Sequence, residues 1–305
     1  MNQVPKSYSQ ILAYIQIIRP LNCLFGSLTV VIGILNAYSG TDFFQNTYHV
    51  IALFGGLCVY ILIAAASNVI NDIFDLNIDS INRPNRPIPS GKITQKSAII
   101  YSSILMGLGI FLSIPLGFFT PNKILIPLLG FFFGFIGFLY NWKGKRSGFM
   151  GNVIVGIAFS SGIPFGALLI SQISQIPDYL WFFYATAVSL LISRELVKGM
   201  EDVIGDTEFQ VKTVASVRGY KFTAILSGFF SLIAIITYII PAIVYSLNVW
   251  FMITIGIGNV FVLVSIILLI KPDQMNRQTK ASLCLKIAAY VGLIGYILAI
   301  FKDYG

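Results

Sequence analysis

Long apolar stretches separated by short polar connections run along almost the entire chain. Most of these stretches have about 20 residues, the length that an α-helix needs to cross the hydrocarbon core of a membrane. The pattern predicts an all-α, multi-pass membrane protein in which residues 1–305 form a single domain. We predict nine crossings, approximately at residues 12–38, 48–74, 96–117, 124–141, 150–171, 179–198, 222–245, 248–271 and 283–302. The fourth stretch is barely long enough, so eight crossings are the alternative.

Composition and charge agree with this interpretation. The chain is 56% hydrophobic and only 10% charged, whereas a soluble protein has about 25% charged residues. The net charge is +8, and with the N-terminus in the cytoplasm 18 of the 20 basic residues fall on the cytoplasmic side. Such a distribution is typical of membrane topology, because positive residues collect in cytoplasmic loops. Topology therefore accounts for the positive charge, and nucleic acid is not expected as a partner.

Acidic residues cluster at two of the predicted helix ends. Residues four apart in a helix lie on one face. Asn71, Asp75 and Asp79 therefore form one stripe at the cytoplasmic end of the second crossing, with Asn68 and Asp72 in the same arc. Ionisable groups at membrane depth mark functional sites more often than not. This stripe is therefore a candidate binding site.

The sixth crossing ends in a similar way. Lys198, Asp202 and Asp206 repeat the spacing of four, and Glu195 shares their face. The match with the first stripe indicates an internal duplication that would place the two stripes across a shared cavity. Carboxylate and amide oxygens are ligands that suit Mg²⁺, which usually also holds a substrate phosphate. The predicted magnesium ligands are Asn68, Asn71, Asp72, Asp75, Asp79, Asp202 and Asp206.

Two basic connections accompany the acidic stripes. The loop after the first stripe contains Arg83 and Arg86 among three prolines, and a guanidinium binds phosphate through a planar pair of N–H groups. A second loop begins at Tyr140 and Lys143, which share a face if the fourth helix continues. Phosphate contacts next to a metal site indicate a diphosphate substrate.

The motifs resemble those of the UbiA superfamily of intramembrane prenyltransferases. The run NDIFDLNIDSINRPNRPIPSG is similar to the first signature of that family, and KGMEDVIGDTEFQVKT is similar to the second. Tyr140 and Lys143 match the Tyr/Lys element of the family. The resemblance covers the whole chain. It implies about nine helices around a central cavity that opens to the cytoplasmic side, Mg²⁺ as cofactor, and a prenyl diphosphate as donor.

The resemblance also implies roles for individual residues. Asp75 and Asp202 would be the catalytic carboxylates of the metal site. The donor diphosphate would contact Arg83, Arg86, Tyr140, Lys143 and Lys198. Weaker candidates for binding the acceptor are Arg19, Asn22, Lys145, Arg146 and Asn152.

The acceptor is indicated by two further runs. IIRPLNCLFGSLTVVIG and SRELVKGMEDVIGD resemble an archaeal branch that transfers a geranylgeranyl group to the glycerol hydroxyl of geranylgeranylglyceryl phosphate. Gly199 departs from that branch, in which Asp often follows the lysine. The alternatives are an aromatic acceptor, as in quinone or haem biosynthesis, and more distantly a cation-coupled transporter. The lipid-like acceptor and the surrounding membrane lipid are the expected partners, and the oligomeric state stays open.

Overall fold

The computed structural model describes residues 6–40, 42–142, 144, 147–208, 211–245 and 247–300. Lys143, Lys145 and Arg146, three of the residues predicted to bind substrate, lie outside these ranges. Within them the chain folds without β-strands. The helices are α1 (Lys6–Ile17), α2 (Pro20–Ala37), α3 (Thr47–Phe74), α4 (Leu76–Asn82), α5 (Gln95–Phe118), α6 (Leu125–Trp142), α7 (Phe149–Ser160), α8 (Gly162–Ile170), α9 (Asp178–Glu201), α10 (Val203–Glu208), α11 (Val214–Val244), α12 (Val249–Leu268) and α13 (Met275–Leu298).

In the described part of the chain, nine helical stretches are long and apolar enough to cross a membrane, as predicted. The marginal fourth crossing is an 18-residue helix, α6. The seventh is preceded by a short helical segment from Val214, where the side chain of Thr213 accepts a hydrogen bond from the main chain of Ser216. A kink at Gly219 (φ 78°, ψ 171°) separates this segment from the main span, which begins close to the predicted residue 222. Hydropathy marks only the part of a helix that lies in lipid, whereas capping groups set where the helix begins.

Short connections make successive crossings run in opposite directions. The last residues of α3, α6 and α9 therefore lie on one side of the bundle, together with the first residues of α7, α11 and α13. We call this the motif side, since both acidic motifs lie there, and we call the other the opposite side. Each acidic motif thus follows a crossing and faces the same membrane surface.

Small and hydroxyl-bearing residues hold the helices together within the membrane. A Cβ atom on Gly33 would lie 2.0 Å from the carbonyl oxygen of Ile163, so α2 and α8 touch through their backbones. Between α9 and α11, the Ser193 hydroxyl bonds the hydroxyls of Ser227 (2.9 Å) and Ser231 (2.8 Å). Lipid gives little hydrophobic drive for helix association, so close packing and hydrogen bonds of this kind supply it.

The interior of the bundle contains a stacked aromatic group. The rings of Phe183 and Tyr296 stack with centroids 4.1 Å apart. Tyr238 packs edge-on against Tyr296 at 5.4 Å, and Phe251 completes the group. An apolar cavity lies beside these rings and is bordered by residues of α2, α7, α9, α11, α12 and α13. The aromatic group forms part of the cavity wall through Tyr238 and Tyr296.

Candidate active site

The first acidic motif lies at a joint between two helices. Asp75 ends α3 and precedes α4, with φ −88° and ψ 2°. The residues that end α5, α11 and α12 adopt nearly the same conformation, which is usual where a helix ends. The hydrogen bonds continue across the joint, because the amide of Asp75 donates to Asn71 (2.9 Å) and the amide of Asp79 donates to Asp75 (2.8 Å). The predicted stripe is therefore formed, although the helix that carries it bends at its central carboxylate.

The second motif has the same joint. Asp202 ends α9 and precedes α10, with φ −91° and ψ 0°. Its amide donates to the carbonyl of Lys198 (3.0 Å), and the amide of Asp206 donates to Asp202 (2.9 Å). The backbone around Asp202 therefore matches that around Asp75 in conformation and hydrogen bonding. What the two motifs share beyond this common helix end is the short helix, α4 or α10, that follows each joint.

Carboxylates of the first motif are buried at the membrane boundary. Asp72, Asp75 and Asp79 are 3%, 7% and 4% exposed. The amide nitrogen of Asn71 donates a hydrogen bond to Asp75. Arg86 donates to both Asp72 (3.2 Å) and Asp79. Charges of this kind are costly to remove from water unless a partner neutralises them, and the motif supplies such partners itself.

Residues of the second motif are less buried. The ammonium group of Lys198 donates to both oxygens of Glu195, at 3.2 and 3.1 Å. Arg194 donates to Glu195 at 3.4 Å. Asp202 is exposed and Asp206 is half-buried. This motif therefore presents a more open face than the first.

Tyr140 links the two motifs. It lies in the last turn of α6 and is half-buried. Its hydroxyl group interacts electrostatically with Glu195 of the second motif and with Asp75 of the first. The neighbouring Asn141 holds α6 against α3 by donating to the carbonyl of Ser67 (3.3 Å). Tyr140, for which a diphosphate contact is predicted, therefore lies near an acidic residue of each motif.

The other predicted residues are distributed around this centre. Arg83 is exposed after α4, and Asn22 is exposed in the first turn of α2. Asn152 is half-buried near the start of α7, on the motif side. Asn68 faces the corner between α1 and α2, where its amide donates to the carbonyl of Ile18 (2.9 Å). The structure therefore places Asn68 in contact with the main chain of this corner.

Glu195 and Glu201 lie within the second motif, and no specific role is predicted for either from the sequence. Glu195 accepts from Arg194 and Lys198. One oxygen of Glu201 is buried without a hydrogen-bond partner among the described residues, and the side chain lies near Ser282 of α13. The signal in the sequence was the placement of Glu201 beside Asp202. The proximity of Glu201 to Ser282 on α13 could not be predicted from the spacing of residues along one helix.

The carboxylates suit a magnesium ion that protein and substrate coordinate together better than an ion coordinated by protein ligands alone. Within the described ranges, no three His, Cys, Asp or Glu side chains group closely enough to hold a metal by themselves. Mg²⁺ usually takes one or two carboxylates and completes its octahedron with water and substrate phosphates. Asp75 and Asp202, one from each motif, provide carboxylate oxygens of this kind. The donor set is therefore suitable for Mg²⁺ held by a bound diphosphate.

The apolar cavity begins close to the second motif. Leu190 and Leu191 of α9 line it, and Glu195 follows four residues after Leu191, about one helical turn away. Tyr238 and Tyr296 lie deeper in the bundle. An apolar cavity therefore extends from near the charged site toward the membrane interior, and its opening to the motif side stays a prediction.

Fold and site together define a multi-pass membrane protein with two matched carboxylate motifs on one side. The chain belongs to the UbiA prenyltransferase family, which it matches over residues 27–290. It is therefore a prenyltransferase by family, and the resemblance read from the motifs is confirmed.

Individual relatives agree with this assignment. A digeranylgeranylglyceryl phosphate synthase of Pyrococcus horikoshii is 32% identical over 286 residues, which cover 94% of this chain and 96% of the relative. A solved structure concerned with digeranylgeranylglyceryl phosphate synthase in membranes matches with a TM-score of 0.74 and 27% identity, covering 95% of this chain and 98% of the other. A UbiA homologue from Archaeoglobus fulgidus, solved bound to GPP and Mg²⁺, shares the fold with a TM-score of 0.63 at 15% identity, covering 93% and 99%.

Proposed function

We propose that the protein transfers a geranylgeranyl group from geranylgeranyl diphosphate to the glycerol hydroxyl of geranylgeranylglyceryl phosphate. The observation that carries this proposal is the 32% identity, over 94% of the chain, to a relative named for the corresponding product. The site agrees with the proposed chemistry, because matched carboxylates, a tyrosine and basic side chains lie beside an apolar cavity. A charged head group and an apolar tail would each find a suitable environment.

The two motifs would bind the donor head group between them. Asp75 and Asp202 would hold Mg²⁺, with Asn71, Asp79 and Asp206 as further oxygen donors of the same motifs. When bound, the metal ion supplies Lewis acidity that neutralises the diphosphate as it departs. Its presence in the Archaeoglobus fulgidus homologue, together with GPP, supports this assignment.

Basic residues and Tyr140 would stabilise the charge that develops on the leaving group. Arg83, Arg86 and Lys198 carry N–H donors on the motif side, and Lys143 is predicted to join them. Donors placed where charge develops usually make the largest single contribution to catalysis. In the reaction, the bond between C1 of the prenyl group and the diphosphate oxygen breaks, and the electron pair leaves with diphosphate. The acceptor oxygen then bonds to C1 and loses its proton.

The prenyl tail would occupy the apolar cavity. Leu190 and Leu191 lie nearest the second motif, and Gly292, Tyr238 and Tyr296 lie farther along the cavity wall. A tail that enters the cavity leaves its C1 atom at the charged end. The cavity would thus align the reactive carbon with the leaving group and the acceptor.

A competition experiment tests the choice of acceptor. Purified protein, Mg²⁺ and limiting labelled geranylgeranyl diphosphate are mixed with equal concentrations of geranylgeranylglyceryl phosphate and 4-hydroxybenzoate. We expect the digeranylgeranyl ether as the main product, identified by mass. A prenylated aromatic acid as the main product would refute the lipid acceptor and leave the prenyltransferase assignment intact.

The motif side would face the cytoplasm, as the distribution of basic residues predicts. Arg218 lies on this side near the start of α11, whereas Asp178 begins α9 on the other. Single cysteines at these positions, in a chain lacking Cys23, Cys58 and Cys284, are treated with an impermeant thiol reagent on intact cells. We expect labelling at position 178 and none at 218, and the reverse pattern would invert the proposed topology.

A further inference from the structure

Two arginines from distant parts of the chain bond the same carboxylate oxygen. Oδ1 of Asp72 accepts from Nη2 of Arg19 and from Nη1 of Arg86, the latter at 3.2 Å. Asp72 is 3% exposed, whereas the side chains of Arg19 and Arg86 are 28% and 19% exposed. Two guanidinium groups repel each other at this separation unless an anion lies between them. Asp72 therefore holds together two cations that would otherwise move apart.

The backbone at Arg19 is also unusual. Its φ and ψ are 53° and 66°, and it is the one non-glycine residue with positive φ in the described ranges. A side chain disfavours this left-handed conformation because Cβ approaches the carbonyl oxygen. Arg19 lies at the corner between α1 and α2, and Pro20 begins the next helix. The corner is fixed against α3 twice, by Asp72 on Arg19 and by Asn68 on the carbonyl of Ile18.

The first motif consequently has two different faces. Asp75 lies near Tyr140, which is also near Glu195 of the second motif. Asp72 faces the α1–α2 corner and its arginine. A diphosphate between the two motifs would use the first face. The phosphate of an acceptor needs a separate cation beside it, and the second face provides one.

We propose that Arg19 binds the phosphate of the acceptor and that Asp72 is a positioning residue that aims Arg19 at it. This inference rests on the proposed function. Among the described residues, the guanidinium of Arg19 has no hydrogen-bond partner other than Asp72. A guanidinium carries five N–H donors, so most of them stay available for a phosphate, which arginine binds through paired hydrogen bonds. Asn22, exposed in the next turn, borders the same corner.

The test pairs changes in the protein with a change in the acceptor. Wild type and Arg19→Gln are assayed with geranylgeranylglyceryl phosphate and with geranylgeranylglycerol, which lacks the phosphate. We expect Arg19→Gln to raise KM for the phosphorylated acceptor about 10- to 100-fold, the effect of losing a hydrogen bond to a charged group. KM for the donor stays at its wild-type value. For the acceptor without phosphate, the two proteins have the same KM.

The positioning role of Asp72 predicts that its effect on the acceptor KM depends on the presence of Arg19. Asp72→Asn alone should raise KM for the phosphorylated acceptor more than KM for the donor, because Asp72 reaches the donor only through Arg86. In the double variant, the acceptor KM should equal that of Arg19→Gln, because a residue that acts through Arg19 adds nothing once Arg19 is lost. Additive effects would contradict the positioning role.

Matched controls separate this role from general damage. Arg218→Gln and Asp273→Asn remove exposed charges elsewhere on the motif side and should leave both KM values unchanged. Arg19→Lys keeps the charge and carries the test if Arg19→Gln misfolds in detergent, as judged by size-exclusion chromatography. Misfolding of both variants, or a rise confined to the donor KM, would overturn the inference. Wild-type transfer to neither acceptor would instead overturn the proposed function.

Discussion

The two ends of the bundle satisfy their polar side chains in different ways. On the opposite side, neutral groups bond main-chain carbonyls: Asn122 donates to Leu168 (2.7 Å) and Ser171 (2.8 Å), and Asn248 donates to Leu298 (2.6 Å). On the motif side, Asn68 and Asn141 make similar bonds, and in addition carboxylates bond guanidinium and ammonium groups. Both ends are membrane boundaries of one bundle, so lipid contact alone does not explain the difference.

Neutral bonds of the first kind stabilise the fold. The last carbonyls of a helix have no partner within it, and an amide from a neighbouring helix provides one. The same end also contains a charged acceptor, since the hydroxyl of Tyr38 donates to the carboxylate of Asp42 (2.8 Å) and this bond raises the pKa of the tyrosine. On the motif side the paired groups are charged instead, and the carboxylate of Asp202 is exposed. The comparison indicates that one end is built for stability and the other for binding.

Removal of divalent cations should produce the largest effect. Carboxylates of the motif side repel a diphosphate when no cation lies between them. We expect complete chelation to abolish transfer of labelled prenyl group, and added Mg²⁺ to restore it. The unfolding temperature without substrate should change little, because Mg²⁺ is expected to bind together with the diphosphate. Undiminished transfer after chelation would contradict the metal site.

Loss of one central carboxylate should have the next largest effect. Asp75→Asn and Asp202→Asn keep the size of the side chain and remove its charge, so we expect turnover to fall roughly 10²- to 10³-fold. The matched control is Asp178→Asn, which removes a carboxylate at the opposite end of α9 and should leave turnover unchanged. Near-normal activity of either motif variant would show that the wrong carboxylate has been assigned.

Filling the cavity should change the choice of donor. A Cβ atom on Gly292 would meet only the hydroxyl of Tyr238, at 4.0 Å, so a side chain fits there and points into free space. We expect Gly292→Leu to lower kcat/KM for geranylgeranyl diphosphate about tenfold relative to farnesyl diphosphate, within the usual range for pocket shape. Gly256→Leu is the control, since Gly256 is exposed on α12 with open space around it. An equal effect on both donors would argue against the tail site.

The smallest effect concerns the opposite end. Asn122→Ala leaves two carbonyls without their donor and should lower the free energy of unfolding by about 1–3 kcal/mol. Turnover below the unfolding temperature should not change. Lys123→Ala, an exposed neighbour, provides the control for thermal unfolding in detergent. A loss of turnover in Asn122→Ala at full stability would erase the distinction between the two ends.

Much of the fold could be predicted because its signals are local. The nine crossings follow from apolar length, and the two stripes follow from a spacing of four residues. The joints at Asp75 and Asp202 could not be predicted, because spacing does not report backbone angles. Pairing of Arg19 with Asp72 joins residues 53 positions apart. Its geometry depends on how α1 turns into α2, which no periodic pattern encodes.

The joints at Asp75 and Asp202 also determine how deep in the bilayer the chemistry takes place. Each carboxylate lies where a membrane helix stops, at the level where hydrocarbon gives way to water. The head groups of the proposed substrates lie at that same level, and their chains are already in lipid. At about 0.8 kcal/mol per CH₂ group, lifting a prenyl chain into water would cost on the order of 10 kcal/mol or more. An enzyme with its charged site at this depth avoids that extraction, and substrates and product reach or leave it by two-dimensional diffusion within the leaflet.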